Sequence, residues 1–429
     1  MPRFPIALIS CHVLPLALAA FGHVSAAVAG DWPQILGPGR DGIAVNERLH
    51  AEWPARGPKK LWESPVGDGF AGVAVAGERV IAFVREGNNE VVRCYAAATG
   101  DVVWESPSPC DWQGGISTDK GPRCVPLIAS SRIITLGVTG VLRCLKIDSG
   151  EEVWRRNTQT DFEPLEGYFG VGSTPVLAGD RVIVNVGGRA NNSVVAFSLK
   201  DGSTLWNVFT DAASYSSPVI AKSGEQQLAI VITRLHLCGI DTASGRLVFS
   251  LPFGARGPTV NGASPVILND RIFVSSSYNI GSLMVSFDGS AAKELQRDEE
   301  ILATQYATPV RGSSSSGGSS LLFAIDGRQD AGSGSASLKC LDVDNWKILW
   351  EKTGFDYGSL LRVNDELLIL TCGGELIRAA ADSSKYRELA RARVLSATDS
   401  GYRLPALSNG RLFIRDDTTL RCLEVGPLK

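Results

Sequence analysis

The chain has 429 residues, 44% of them hydrophobic and 20% charged, a globular composition that excludes a disordered or fibrous protein. Its formal net charge is −3 and no basic stripe or tail is present, which argues against nucleic acid as a partner. Beyond the first thirty residues no stretch approaches the roughly 18 apolar residues that a membrane-spanning helix needs.

Residues 1–29 read as an export signal peptide. Arg3 supplies a positive end, residues 6–21 form an apolar run, and Ala27-Val28-Ala29 offers a small-x-small cleavage site, with Val24-Ser25-Ala26 as an alternative. Too little apolar sequence precedes Cys11 for Leu8-Ile9-Ser10-Cys11 to serve as a lipoprotein box. The mature chain is expected in the periplasm or cell envelope, preceded by a lead-in segment over 30–56.

From residue 57 to 429 the chain repeats itself. An orphan strand comes first, "GPKKLWESPV" (57–66). Eight hairpin phrases follow, roughly every fifty residues: "GVAVAGERVIAFV" (72–84), "CVPLIASSRIITL" (124–136), "STPVLAGDRVIVNV" (173–186), "SSPVIAKSGEQQLAIVI" (216–232), "ASPVILNDRIFVSS" (263–276), "ATPVRGSSSSGGSSLLFAI" (307–325), "GSLLRVNDELLIL" (358–370) and "LPALSNGRLFIRD" (404–416). Each holds two apolar β-branched runs around a Gly, Asn, Asp or Ser turn.

A second phrase recurs in phase with the first: "AATGDVVW" ending at Trp104, "KIDSGEEVW" at Trp154, "SLKDGSTLW" at Trp206, "DTASGRLVF" at Phe249 and "LDVDNWKILW" at Trp350. It supplies a second hairpin, so each unit is four short antiparallel strands. A four-stranded unit at this period is the signature of a β-propeller. The expected fold is all-β, an eight-bladed propeller. Trp62, Trp104, Trp154, Trp206, Phe249 and Trp350 are expected to wedge between neighbouring blades, because one blade cannot bury both of its faces alone. The last unit ends after its third strand. The orphan strand is therefore expected to complete it, residues near 60–64 pairing beside residues near 419–424 and closing the ring.

Most cysteines read as small buried hydrophobes. Cys110 and Cys124 flank the loop "CDWQGGISTDKGPRC" and are candidates for a disulfide in an exported chain. Candidate binding residues lie in the varied loops between blades, where an aromatic recurs just before the first strand. These are Tyr215, Tyr306, Tyr357 and Tyr402, with Phe70 in the same phase and Trp112, Tyr168 and Phe169 in neighbouring loops. A ring of them at one channel mouth is suited to stacking on a peptide or a sugar.

The repeats resemble the PQQ-type propeller repeat, Ala-x-Asp-x-x-Thr-Gly-x-x-x-Trp, matched by "CYAAATGDVVW", "CLKIDSGEEVW" and "FSLKDGSTLW". The lead-in "DWPQILGPGRDGIA" (31–44) is similar to that of PQQ-binding-like repeat proteins of planctomycete bacteria. Relatives of this repeat include quinoprotein alcohol dehydrogenases and the propeller lipoprotein of the outer-membrane β-barrel assembly machinery. The resemblance implies either a protein-binding or assembly scaffold of the cell envelope, working as a monomeric propeller, or a dehydrogenase using PQQ with calcium. A carbohydrate- or polymer-binding module is a third reading. The dehydrogenases hold their quinone on a tryptophan floor beneath a bridged Cys-Cys pair, and this chain has no adjacent cysteines. Past residue 29 the only histidines are His50 and His236, too few for a histidine-rich zinc site or triad. The expectation is a non-catalytic scaffold with no cofactor, no metal and no catalytic residue.

Overall fold

The computed structural model describes Met1 and residues 30–115, 120–165, 167–257, 259–312, 320–396 and 403–429. The predicted signal peptide, Tyr402 and most of the Ser/Gly stretch at 313–319 lie outside the described residues.

The chain folds into eight blades of four antiparallel strands arranged as a ring, one of them gaining a fifth strand from the lead-in, the expected eight-bladed propeller. Blade 1 shows the pattern: Ala74–Ala76, Arg79–Glu86, Asn89–Ala96 and Val102–Pro109, each hydrogen-bonded to the next. Blade 8 consists of Ala406–Ser408, Arg411–Arg415, Thr419–Glu424 and, from the other end of the chain, Lys59–Pro65. Trp62 is registered with Cys422, so the orphan strand closes the ring as the strand count predicts. Closure leaves no open first or last blade to recruit another chain.

Both recurring phrases are explained by contacts between blades. On the fourth strand, each tryptophan reaches the 3–4 turn of the next blade. Trp62 Nε1 donates to Ala97 O at 2.9 Å, Trp104 to Ile147 O at 3.0 Å, Trp154 to Leu199 O at 3.0 Å, Trp206 to Thr242 O at 3.1 Å and Trp350 to Asp382 O at 2.8 Å. The ring lies on the turn glycine. Gly150 has φ +70°, and a Cβ there would sit 2.4 Å from Trp104; Gly202, at φ +72°, would place one 2.7 Å from Trp154. Both the positive φ and the missing Cβ are therefore required. Across the strand pair each tryptophan faces a small residue: Cys94 opposite Trp104, Cys144 opposite Trp154, Ala196 opposite Trp206, Cys340 opposite Trp350. That accounts for the cysteines spaced ten residues before Trp104, Trp154 and Trp350. Burial pushes these thiols up, Cys144 to about 11 and Cys94 and Cys340 to about 12.

Three junctions depart from this rule. In blade 4, Phe249 packs over Gly239 of its own sheet and has no N–H to donate. In blade 5 the equivalent position is Gln296, opposite Met284, and the wedge comes from the other side: Trp346 takes the turn position of blade 6 at φ +51° and packs its ring 6.0 Å from Phe273. In blade 7 the position is Ala390, at the seam where blade 8 is assembled from the two ends of the chain.

The Ser/Thr-Pro of the hairpin phrase links the inner strands. Val125 N donates to Thr174 Oγ1 at 3.0 Å, Thr174 N to Ser217 Oγ at 2.9 Å and Ser264 N to Thr308 Oγ1 at 2.9 Å, each bond running from one blade to the next. The hydroxyl supplies the acceptor for a backbone N–H that no ladder reaches.

The lead-in crosses the channel on the face of the 3–4 turns. Trp32, 2% exposed, exchanges backbone bonds with Val75, and Pro33 O accepts from Ile128 N. Arg40 donates to Thr174 O and Pro175 O, and Ile43–Ala44 adds as a parallel strand to Gly358–Val363 of blade 7. Glu47 then caps the blade 8 hairpin, accepting from Asn409 N and Gly410 N.

Candidate functional site

With one mouth crossed by the lead-in, the other mouth, ringed by the inter-blade loops, forms a blind cup of about 370 Å³. Its wall comes from the residues just before the inner strands: Phe70, Arg123, Phe169, Tyr215 and Tyr306, with Tyr278 from the 2–3 loop of blade 5. Ile35 of the lead-in and Leu404 add aliphatic surface, and Gln305 and Asp330 are polar members of the lining.

The polar atoms of this wall are largely committed to one another. Phe169 N donates to Tyr215 Oη at 2.9 Å, and the two rings meet edge-on at 5.8 Å. Tyr306 Oη donates to Gln329 Oε1 at 2.8 Å, and Gln305 Nε2 donates to Tyr278 Oη at 2.7 Å. The Arg123 guanidinium donates to Phe169 O at 2.7 Å and lies over the Phe70 and Phe169 rings at 5.3 and 5.6 Å. Arg328 covers Tyr278 at 4.8 Å. What the cup presents is therefore ring surface held in fixed orientation, with hydroxyls already satisfied. Such a surface binds apolar and aromatic groups through burial and ring contact.

The structure distributes the expected binding residues in three ways. Phe169, Tyr215 and Tyr306 come together in the cup, as does Phe70. Trp112 and Tyr168 share the face but sit outside the cup. Gly170 packs beside the Trp112 ring, whose buried indole N–H makes no hydrogen bond among the described residues, while Tyr168 is 38% exposed with Arg234 over its ring at 5.5 Å. Tyr357 does not reach the mouth. It is 2% exposed, accepts from Tyr306 N and Ala307 N and bonds Thr304 Oγ1, so it supports Tyr306 from behind; burial pushes its hydroxyl up to about 12. Cys110 and Cys124 are unbridged here. Cys110 Sγ accepts from Arg85 at 2.6 Å, and Cys124 Sγ, fully buried, accepts from Leu136 N at 3.4 Å. Arg123, Tyr278, Ile35 and Leu404 escaped the sequence reading. Only Tyr278 had a signal available, an aromatic in a 2–3 loop, and it lies outside the phase of the recurring aromatics.

Among the described residues no group of three or more His, Cys, Asp or Glu side chains gathers at one point. One carboxylate–imidazole pair does form on the loop face, Asp211 accepting from His236 Nδ1 at 2.9 Å, but the same carboxylate oxygen also holds Thr233 Oγ1 and Leu235 N. It ties down the 2–3 loop of blade 4.

The family model described as outer membrane protein assembly factor BamB matches residues 88–350, more than half of the chain. The chain belongs to the BamB family. BamB of Moranella endobia is 22% identical over 274 residues, which are 60% of this chain and 64% of that protein's own length. The crystal structure of BamB from Moraxella catarrhalis superposes with a TM-score of 0.59 at 15% identity, covering 85% of this chain and 97% of that one. A quinohemoprotein alcohol dehydrogenase from Comamonas testosteroni superposes with a TM-score of 0.63 at 12% identity, covering 94% and 82%. These two likenesses establish a shared fold. The BamB match begins in blade 1 and ends at Trp350. The lead-in, the seam of blade 8 and blade 7 lie outside it.

Proposed function

We propose that this chain is a protein-binding scaffold of the cell envelope, serving assembly of outer-membrane proteins, and that its working surface is the loop face around the aromatic cup. Membership of the BamB family supports the class of function. The observation that carries the location is the cup itself, in which Phe70, Phe169, Tyr215, Tyr278 and Tyr306 turn ring surface toward one open mouth. Rigid aromatics bury much area at little entropic cost, which makes them common centres of binding energy. The occupant is a polypeptide presenting apolar side chains.

The reading is tested with photoreactive residues at Phe169 and Tyr168 on the loop face and at Ser203 on an exposed 3–4 turn, in protein expressed in its own envelope. Adducts to outer-membrane polypeptides from the first two positions and none from Ser203 are expected. Adducts from Ser203 alone would place the working surface on the wrong face.

The shared fold raises a quinone-dependent dehydrogenase as a second reading. The cup does not suit such a cofactor, a flat ring system bearing carboxylates. It contains aliphatic Ile35 and no tryptophan, and the guanidinium in its wall already serves a carbonyl and two rings. Titrating the purified protein with PQQ and calcium is expected to give no saturable change in quinone absorbance.

A further inference from the structure

The lead-in does not cover its end of the channel evenly. It bonds to blades 1, 2 and 3 through Val75, Ile128, Thr174 and Pro175, and to blades 6 and 7 through Arg311 and Arg362. Beside blades 4 and 5 it leaves a cavity of about 280 Å³, roughly nine water volumes. The wall consists of Gly39, Arg40 and Asp41 of the lead-in, the inner strands of blades 4 and 5, and Arg311 of blade 6.

Its charges are unbalanced. Arg40, Arg311 and Lys222 line it against a single carboxylate, Asp41, which is already bonded to Arg311 at 3.0 Å. Arg40 is 4% exposed and has no acidic partner among the described residues. Its two terminal nitrogens are held by Gln34 Oε1, Pro175 O and Thr174 O, while its Nε and that of Arg311 make no hydrogen bond among the described residues. Burial pushes Arg40 down to about 9, so it remains charged at neutral pH. Arg362 stands next to Arg311 and Asp41, and its charge is offset by Asp365. A buried cation without a counter-ion is costly. Arg40, Arg311 and Lys222 against Asp41 leave two net positive charges around the cavity, which one dianion would neutralise.

We propose that this cavity is a phosphate site, in which Arg40, Arg311 and Lys222 hold a phosphate group at the mouth opposite the cup. Charge-assisted bonds from guanidinium and ammonium groups favour a small oxyanion over a neutral ligand. The phosphate is free or carried by a lipid headgroup, and both arms of the test use the full mature protein. In the first, inorganic phosphate is titrated against thermal unfolding at constant ionic strength set with chloride. A saturable rise in Tm is expected, with Kd about tenfold weaker in Arg311→Gln and in Lys222→Gln, the effect of losing one charge pair. Lys222 is exposed, so its variant should fold normally, and its unliganded Tm checks this. In the second arm, co-sedimentation with phosphatidylglycerol vesicles is compared with phosphatidylcholine vesicles. Sedimentation with the anionic vesicles that Lys222→Gln abolishes assigns the phosphate to a headgroup; a saturable Tm rise without sedimentation assigns it to a free anion. No saturable rise and no variant-sensitive sedimentation, or Lys222→Gln and Arg311→Gln both responding like the parent, overturns the proposal.

Discussion

The two faces of the ring are built from the same repeats and put them to opposite uses. On the 3–4 turn face the repeats have converged: glycine at positive φ, a tryptophan from the preceding blade lying on it, and an indole N–H bonded to a turn carbonyl. On the loop face the same eight units diverge, and a Phe, an Arg, a Tyr or a Gly occupies corresponding positions before the inner strands. The difference follows from what each face touches. A 3–4 turn is a docking surface for the neighbouring blade, so its residues are constrained by a partner made of the same repeat. An inter-blade loop ends over the channel, where its side chains meet one another rather than a repeated turn, and variation there leaves the blade packing intact.

The largest effect should come from the converged face. Trp154→Ala empties the wedge between blades 2 and 3 and removes the donor to Leu199 O, at an expected cost of about 3–5 kcal/mol in denaturant unfolding. Gly202→Ala attacks the same contact from the other side, through a φ of +72° and a Cβ pressed onto Trp154. Near-zero changes in both would break the claim that this face exists to join blades.

The reversed junction between blades 5 and 6 sharpens the comparison. Trp346→Gly should cost about 3 kcal/mol or more, and Gln296→Trp alone should also destabilise, because Trp346 already fills the space. Combined, the two changes rebuild the common polarity, and unfolding free energies of the double-mutant cycle should show a favourable coupling of about 1–3 kcal/mol. Simple additivity would mean that the two positions do not share one site.

How much of this was legible in the sequence follows the same division. The blade count, the closing strand at Trp62 and the tryptophan wedges could be read because neighbour contacts repeat, and repetition shows as period and phase. Phe249 kept the phase of the wedge but turned onto Gly239, and the role of Trp346 was hidden beside the expected Trp350. The site was only partly legible. Phase locates the backbone, and so it found Phe70, Tyr215 and Tyr306, while Phe169 was named only as an aromatic of a neighbouring loop; phase does not say which way a ring turns. Tyr357 has the same phase and points inward, drawn by two backbone donors and a threonine hydroxyl. Arg123 is not aromatic, and Ile35 arrives from outside the repeats, so no pattern within them could announce either residue.

The two faces should also differ in the sign of their pH dependence: turn aspartates such as Asp201 and Asp288 are held below the usual carboxylate range by serine and backbone donors, whereas the loop face carries a carboxyl shifted the other way. Glu90, 3% exposed, accepts from Val138 N at 2.8 Å, and burial pushes its carboxyl up to about 7 against the opposing pull of that N–H, Arg85 and Arg143. A folded pKa above the ordinary value means that the protonated form stabilises the fold. That stability is fully present below about 4.5 and is lost as the pH rises through about 7. Glu90→Gln keeps the acceptor and discards the charge. It should therefore be more stable than the parent by about 1–3 kcal/mol at pH 8, with the gap closing by pH 4.5. A gap that does not change with pH, measured by unfolding at both, would remove Glu90 from the account.

The smallest stability effect is expected where function is proposed. Tyr168 is 38% exposed, and the Arg234 guanidinium lies 5.5 Å from its ring. Cation–π contact at an exposed site is worth about 0.5–1 kcal/mol. Arg234 also donates to Thr259 O and Gly257 O, so it keeps its position when the ring is gone. Tyr168→Ala should thus lower unfolding stability by about 0.5 kcal/mol, several times less than Trp154→Ala. If the loop face is the working surface, the same substitution should reduce crosslinking from a probe at Phe169 severalfold, since an exposed ring beside the cup offers a partner area that the folded chain scarcely uses. Unchanged crosslinking would confine the binding surface to the cup, and a loss of stability comparable to that of Trp154→Ala would show that loop aromatics bear structural load and would dissolve the contrast between the two faces.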